Sequence, residues 1–577
     1  MEFLYFIFIH IVFLLPSFGY VSKIKTLDKK PVLSICVAYS MSLFVFMMGG
    51  ILEYAIDIPA GYLTILLWIY IVSGSFLFIR DRSWKQLISA RLIIACFLLM
   101  TLLPGLLLNL TLISTSDSSY IPDPAPIENR NYNVLNVKVL NFAHTQANDN
   151  YIPYRQAQFF QNNLDPAKNS FIEEWDVNFF QRTILMGSVT TSFYNLLGDQ
   201  TPIPYLWSND ASDNDRTYVK FQIISHILNS ILIFPAFLLI IKFFGKRTAY
   251  MTLPFFVISS FFAYNSIFSW LKSLVAFFIL LSWVFLLDKQ PRNYIYLSGL
   301  AAGMAYLTHD LALIYIATSG LYLLIKKRYF DLFRFSSLAI LFMIPWVFVS
   351  SILYKKPSTF IYYPLSLDGI PKTNDGRQII REFLATSPLK IIWVRLNGLM
   401  YLVTPRQLLF PNEKPLPTQI WALGIYSIPG SLGIGLMFAF FAGLIKRIPS
   451  RKLFWFLIIT PVILTTIMFG NPKILGSLHF SAALLILMMG YSIKSLLSFE
   501  KIGNKLVFII LGVNVLYLLY FIGYSFNFKL SSWINNINDV VSVLGIILVI
   551  GFSAYVAMLI SKTTDRKLNT QKDFTSF

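Results

Sequence analysis

The sequence predicts an all-α, polytopic membrane protein, and three observations carry that prediction. Hydrophobic residues make up 56% of the chain and charged ones only 13%, with a mean hydropathy of +0.63; a soluble domain carries about 25% charged residues. The apolar residues come in long runs, as helices sized to a bilayer about 30 Å thick require. Lys and Arg gather in alternate connections between those runs, the pattern left by cytoplasmic loops.

About fifteen apolar spans can be read, at roughly 2–20, 32–52, 60–79, 89–113, 219–243, 248–265, 267–287, 293–309, 310–325, 334–354, 418–445, 453–470, 475–497, 505–525 and 540–561. The pair 293–309 and 310–325 is short enough to be one bent or re-entrant element. The expectation is therefore about 13–15 transmembrane helices. The first span has no basic leader and is followed by lysines, so it reads as a retained anchor with the N-terminus outside rather than a cleaved signal.

With that orientation the inward connections hold Lys23, Lys25, Lys29 and Lys30, then Arg80, Arg82, Lys85 and Arg91, then Lys242, Lys246 and Arg247, then Lys289 and Arg292. Further along come Lys326, Lys327, Arg328 and Arg334, then Lys446, Arg447, Arg451 and Lys452, then Lys494, Lys501 and Lys505, and in the tail Lys562, Arg566, Lys567 and Lys572. These are more than half of the 47 basic residues. Short outward connections hold few bases, Lys473 and Lys529, beside Glu53, Asp57 and Asp539. The net charge of +19 is thus a matter of topology, and no nucleic-acid partner is expected. The two cysteines, Cys36 and Cys96, lie in apolar runs and form neither a disulfide framework nor a metal motif.

Two connections, roughly 114–218 and 355–417, are too long to be turns, and both fall outside. The first is rich in aromatics. Its stretches NDNYIPYRQAQFFQNNL (148–164) and VNFFQRTILMGSVTTSFYNLL (177–197) have helical apolar spacing and are expected to form ordered helices on the membrane surface. The second holds Lys355, Lys356, Lys372, Arg377, Arg381, Lys390, Arg395, Arg406 and Lys414 against few acids. A solvated basic face accounts for it, as does a surface meeting a phosphate-bearing lipid.

Several residues have the chemistry for a site on the outer side. Asp149 opens the amphipathic segment in which Tyr151, Tyr154, Ala157 and Phe160 recur at helical spacing; it suits a general base and equally a helix cap. Tyr154 and Arg155 lie on the same segment. Trp270 and Lys272 stand at the outer start of the 267–287 span, where Lys272 either binds substrate or snorkels to headgroups. His309 and Asp310 sit where two short spans meet, and a bend there would turn both into one cavity; a pair capping two helix ends is the other reading. His226 and Asn229 share a helix face and read as interhelical hydrogen bonders. Lys473 and His479 flank another outer turn. The run NDASDNDR, with Asp210, Asp213 and Asp215, lacks the Gly and terminal Glu of a calcium loop and reads as a solvated turn.

Taken together, Asp149 after an apolar helix, the following YRQAQFF segment, the W-x-K of Trp270–Lys272 and the YLTHD ending at Asp310 resemble the GT-C glycosyltransferases. These are the polytopic enzymes related to protein O-mannosyltransferases and to the bacterial lipid A aminoarabinose and galacturonic acid transferases. The resemblance covers roughly 89–500. It implies a GT-C-like bundle and an inverting transfer of sugar from a polyprenyl-phosphate donor to a lipid, glycan or protein acceptor outside the cytoplasm. It also implies that Asp149 is the catalytic base and that Lys272 and His309 hold the donor phosphate or sugar. Tyr154, Arg155, Trp270, Asp310, Lys473, His479, Arg377 and Arg381 complete the expected substrate-binding set. Asp117, Asp123, Asp165, Glu173, Glu174 and Asp176 stand as alternatives to Asp149. Members of the family differ in metal dependence, so a divalent cation (Mg or Mn) stays open as a cofactor, with its ligands unknown.

The expected organisation is an N-terminal three-helix addition (1–88), a catalytic module (89–354) containing the loop 114–218, an extracytoplasmic basic loop (355–417), and C-terminal helices with a cytoplasmic tail (418–577). The expected location is a cell's inner (plasma) membrane, among membrane lipids, with the active site outside. The rival functions are a lipid-linked oligosaccharide polymerase or ligase, which also needs outer Arg and His, and a lipid or solute transporter. Transporters tend to show internal repeats and midplane polar residues; no repeat is evident here.

Overall fold

The structure is a computed structural model. It describes residues 2–27, 30–56, 58–110, 152–164, 183–201, 216–267, 271–288, 293–348, 350–351, 363–365, 376–405, 415–468, 481–499, 502–525 and 537–568. Among these residues there is helix and no strand, as the apolar runs require.

In chain order the helices are α1 (Glu2–Val21), α2 (Pro31–Ile56), α3 (Ala60–Arg80), α4 (Trp84–Ser89), α5 (Arg91–Leu110), α6 (Ile152–Gln161), α7 (Leu185–Leu197) and α8 (Arg216–Ser230). Then follow α9 (Ile233–Phe244), α10 (Lys246–Val257), α11 (Ser260–Ile267), α12 (Lys272–Leu287), α13 (Tyr294–Thr308), α14 (Ala312–Ile325), α15 (Tyr329–Phe348) and α16 (Gly376–Leu384). The chain ends with α17 (Pro388–Val403), α18 (Leu416–Tyr426), α19 (Ile428–Ser431), α20 (Ile434–Ile445), α21 (Lys452–Met468), α22 (Ala482–Leu497), α23 (Gly503–Ser525) and α24 (Ile537–Leu568). Every apolar run read from the sequence contains helix. Among the described residues six stretches are long and apolar enough to cross a membrane: Leu4–Val21, Pro31–Tyr54, Ala60–Arg80, Thr217–Phe244, Gly503–Ser525 and Val540–Lys562. The connection 355–417, expected as a basic loop, contains α16 and α17.

The chain forms two compact units. Unit 1 comprises residues 1–91, 111–235 and 265–386; unit 2 comprises 92–110, 236–264 and 387–577.

In unit 1 the basic turns gather at one end. Lys23 pairs with Asp81, and Ser22 meets Ser83 at 2.8 Å. Lys30 reaches Asp288 at 3.5 Å and lies 5.4 Å over the Tyr294 ring. Arg334 lies 5.7 Å over Tyr296. Four connections — α1–α2, α3–α4, α12–α13 and α14–α15 — are thereby brought together. The start of α12, the α13–α14 junction and the start of α8 belong to the opposite end.

At that opposite end α6 and α7 pack among the long helices. Gly50 makes the α2–α7 crossing possible: a Cβ there would sit 2.3 Å from Ser188 O. Ser192 Oγ then donates to Phe46 O at 2.7 Å. Both helices are covered by protein rather than lying on the membrane surface. On α6, Tyr154, Gln156, Ala157, Gln158, Phe159 and Phe160 are all buried, and on α7 everything from Leu185 to Tyr194 is buried. Apolar spacing selects a covered face, but protein covers it as well as lipid does.

In unit 2 the stretch read as one span at 418–445 is broken. Ser427 is extended, and Gly433 takes φ 85°, where a side chain would be strained. Asn514 of α23 closes the break: its Nδ2 donates to Leu432 O (3.1 Å) and its Oδ1 accepts from Leu436 N (3.3 Å). An irregular backbone at membrane depth needs such partners. This unit's basic turns also meet, through Arg247 to Asn504 (3.0 Å) and Lys446 to Ser498 O (3.2 Å).

Candidate functional site

The register of α12 on α13 places the site. Ser282 and Ser298 each donate to the other's carbonyl at 2.9 Å, so the antiparallel helices are level there. An equal distance along each, about 15 Å at 1.5 Å per residue, leads to Lys272 on one helix and Thr308 on the other. Trp283 Nε1 donates to Ser319 Oγ of α14 at 3.1 Å. Ser298 and Ser319 thus meet adjacent residues of α12, and the chain reverses between them at His309–Leu311. The paired spans 293–309 and 310–325 are therefore a helical hairpin, with its bend level with Lys272.

Lys272 is the first residue of α12 and only 5% exposed. It does not snorkel to headgroups; protein covers it. A cation at a helix N-terminus adds to the positive end of the dipole, and an anion bound there would meet the helix start and the ammonium together.

His309 and Asp310 are 7% exposed each, and His309 Nδ1 lies 2.7 Å from Asp310 Oδ1. Leu311 N also points at Nδ1, at 3.2 Å. Asp310 and Leu311 thus both hold the Nδ1 edge of the ring toward the bend. The pair both shapes the bend and orients an imidazole at the level of Lys272.

A stripe on α8 runs to the same place. Gln222, His226 and Asn229 share one face and are all buried. Asn229 Oδ1 accepts from Leu274 N (3.2 Å) and its Nδ2 donates to Ser225 Oγ (3.1 Å), tying α8 to the first turn of α12. Among the described residues, Gln222 Nε2, His226 Nε2 and Ser273 Oγ are buried without a hydrogen-bond partner, as are Thr183 Oγ1 and Thr190 Oγ1 at and before α7. Thr190 lies on the α7 face whose Gly187 abuts Gln156 of α6 and whose Tyr194 hydroxyl donates to Thr217 O of α8 at 2.5 Å. An unpaired buried polar atom costs about 1–3 kcal/mol; together these approach 10 kcal/mol, on the order of a domain's net stability. A fold tolerates such a set where water or a bound polar group completes it. The i, i+4, i+7 spacing of 222, 226 and 229 is the sequence signal for this stripe; nothing in the sequence marked Thr183, Thr190 or Ser273.

The remaining expected residues divide. Tyr154 is a packing residue: its hydroxyl meets Thr217 Oγ1 at 2.7 Å, and its ring lies against Tyr218 and Phe221. Arg377 and Arg381 are exposed on α16, opposite buried Ile379, away from the buried layer. Asp149, Trp270, Lys473 and His479 lie outside the described residues, as do the Arg155 side chain and the alternative acids Asp117, Asp123, Asp165, Glu173, Glu174 and Asp176.

A second polar cluster at this end of unit 1 escaped the sequence reading. Asn195 donates to Glu53 and accepts from Gln161 Nε2 at 3.1 Å; Lys220 pairs with Asp199 and lies 5.4 Å over the Tyr5 ring. Among the described residues no three His, Cys, Asp or Glu side chains converge as a metal site. The chain matches no family model, no curated protein and no solved structure.

Proposed function

We propose that this chain is an integral membrane glycosyltransferase with a GT-C-like bundle of about 13–15 crossings, moving a sugar with inversion from a polyprenyl-phosphate donor to an extracytoplasmic lipid, glycan or protein acceptor. The carrying observation is buried Lys272 at the N-terminus of α12, level with the His309–Asp310 bend. The basic turns then face the cytoplasm of a cell's plasma membrane, and the site lies at the other leaflet.

In this reading Lys272 and the first turn of α12 hold the phosphate. The acceptor oxygen bonds to the anomeric carbon while the bond from that carbon to the phosphate oxygen breaks. The bonding pair leaves with the prenyl phosphate, whose anion needs fixed positive charge more than a proton. The acceptor's hydroxyl proton passes to a carboxylate, the role proposed for Asp149 by resemblance. His309, held by Asp310, hydrogen-bonds the departing phosphate or the sugar.

The test is mass spectrometry of envelope lipids and glycans from cells lacking the protein and cells complemented with wild type or Lys272→Met. One sugar modification is expected to vanish on deletion, to return with wild type, and to stay at least about 100-fold reduced with Lys272→Met at equal protein level. Full restoration by Lys272→Met overturns the assignment.

A further inference from the structure

The second inference rests on the glycosyl-transfer reading and names the part of the donor that the unpaired polar atoms serve. We infer that the α8 face bearing Gln222 and His226, together with Ser273 of α12, Thr190 of α7 and Thr183, is a subsite for an uncharged, polyhydroxylated sugar ring.

Gln222 Nε2 donates, the hydroxyls of Thr183, Thr190 and Ser273 both donate and accept, and His226 Nε2 does either according to tautomer. Every one is buried: Ser273 and Thr190 are 0% exposed, Gln222 and Thr183 2%, His226 4%. A mixed set of neutral donors and acceptors matches a group that carries several hydroxyls, each of which donates and accepts in turn. A phosphate accepts only, and it is already matched by Lys272 and the start of α12.

Position supports the same division. Asn229, on the face that bears Gln222 and His226, bonds Leu274 N, the residue after Ser273 and two after Lys272. A ligand with its anion on Lys272 therefore has the α8 stripe as its neighbour. Tyr194 and Thr217 tie the Thr190 face of α7 to α8.

The charge of the lining selects among sugars. None of the five unpaired groups is an acid, and Asp310 is engaged by His309. A cationic amino sugar finds no spare carboxylate among these groups and lies beside Lys272. An anionic uronic acid competes with the phosphate for the same ammonium. A neutral hexose or pentose meets neither conflict.

The experiment uses the full chain in lipid nanodiscs and three probes: bare polyprenyl phosphate, the same lipid carrying a neutral hexose, and the same lipid carrying an amino sugar. Wild type is expected to bind the neutral glycolipid at least about ten-fold more tightly than the bare lipid, because a site built to bond hydroxyls rejects the analogue lacking them. Gln222→Leu and Thr190→Val, both close in shape to the native side chain, are expected to bring those two affinities to parity while leaving the bare lipid's unchanged; that unchanged affinity also certifies the fold. A preference retained in both variants overturns the subsite, as does a preference for the amino sugar. Equal binding of bare and glycosylated lipid by wild type means the unpaired atoms hold water only and overturns the subsite alone. Binding of none of the three lipids overturns the donor reading and the subsite with it.

Discussion

Replacing Gly50 with alanine tests how α7 is held. An alanine Cβ at this position of α2 would stand 2.3 Å from Ser188 O and 2.7 Å from Ser188 Cα, roughly 1 Å inside an ordinary contact. Both obstructing atoms are backbone, so no rotamer change relieves them and the crossing itself must open. Overpacking of this kind costs about 1–3 kcal/mol, and the gain of alanine over glycine inside a helix offsets about 0.5–1 kcal/mol of it. The net expectation is a loss of about 1–2 kcal/mol. Gly512 in α23 provides the control, since nothing lies within 4 Å of its Cβ position. Gly512→Ala is expected to be neutral or to gain up to about 1 kcal/mol. Reversible unfolding of both variants in one detergent, followed by fluorescence, reads the difference. A Gly50→Ala protein as stable as Gly512→Ala would refute the close crossing, and with it the position assigned to Thr190.

Two further outcomes are expected. Asn514→Leu strips the broken α19–α20 stretch of its closure and leaves Leu432 O and Leu436 N without these bonds; a loss of about 1–3 kcal/mol is expected in the same unfolding assay, and an unchanged protein would mean the break closes without Asn514. At the basic end of unit 1, the Lys23 side chain and then Arg80 hold the Asp81 carboxyl below the usual carboxylate range. A lowered carboxylate pKa adds stability above the unfolded value, about 3.9, and that stability is lost as pH falls through the folded value. Asp81→Asn is therefore expected to trail wild type at neutral pH and to match it at the acid end, a convergence that melting curves across pH will show or deny.

How far the sequence reached can be judged from particular residues. Lys23, Lys30, Arg80 and Arg334 signalled their common end of unit 1 because charge distribution is a property of whole connections and survives any detail of packing. Lys272 was legible as a cation at a helix start, but its burial was not; snorkelling and covering depend on neighbours that are remote in the chain. Spacing in Tyr154–Phe160 and Leu185–Leu197 marked covered faces without saying what covers them, so both helices were expected on the membrane surface. The run 418–445 looked continuous because its break depends on Asn514, far along the chain. Gln222 and His226 stood at one-turn spacing in plain view, yet spacing does not distinguish a paired amide such as Asn229 from an unpaired one. That distinction required the partners.

The burial of α7 constrains how the protein is made. Ser188 and Thr191 bond carbonyls of their own segment, whereas the Ser192 hydroxyl bonds Phe46 O of α2 and the Tyr194 hydroxyl bonds Thr217 O of α8. Those two bonds form only once α2 and α8 are in place, so α7 is expected to take its seat after the long apolar helices have inserted.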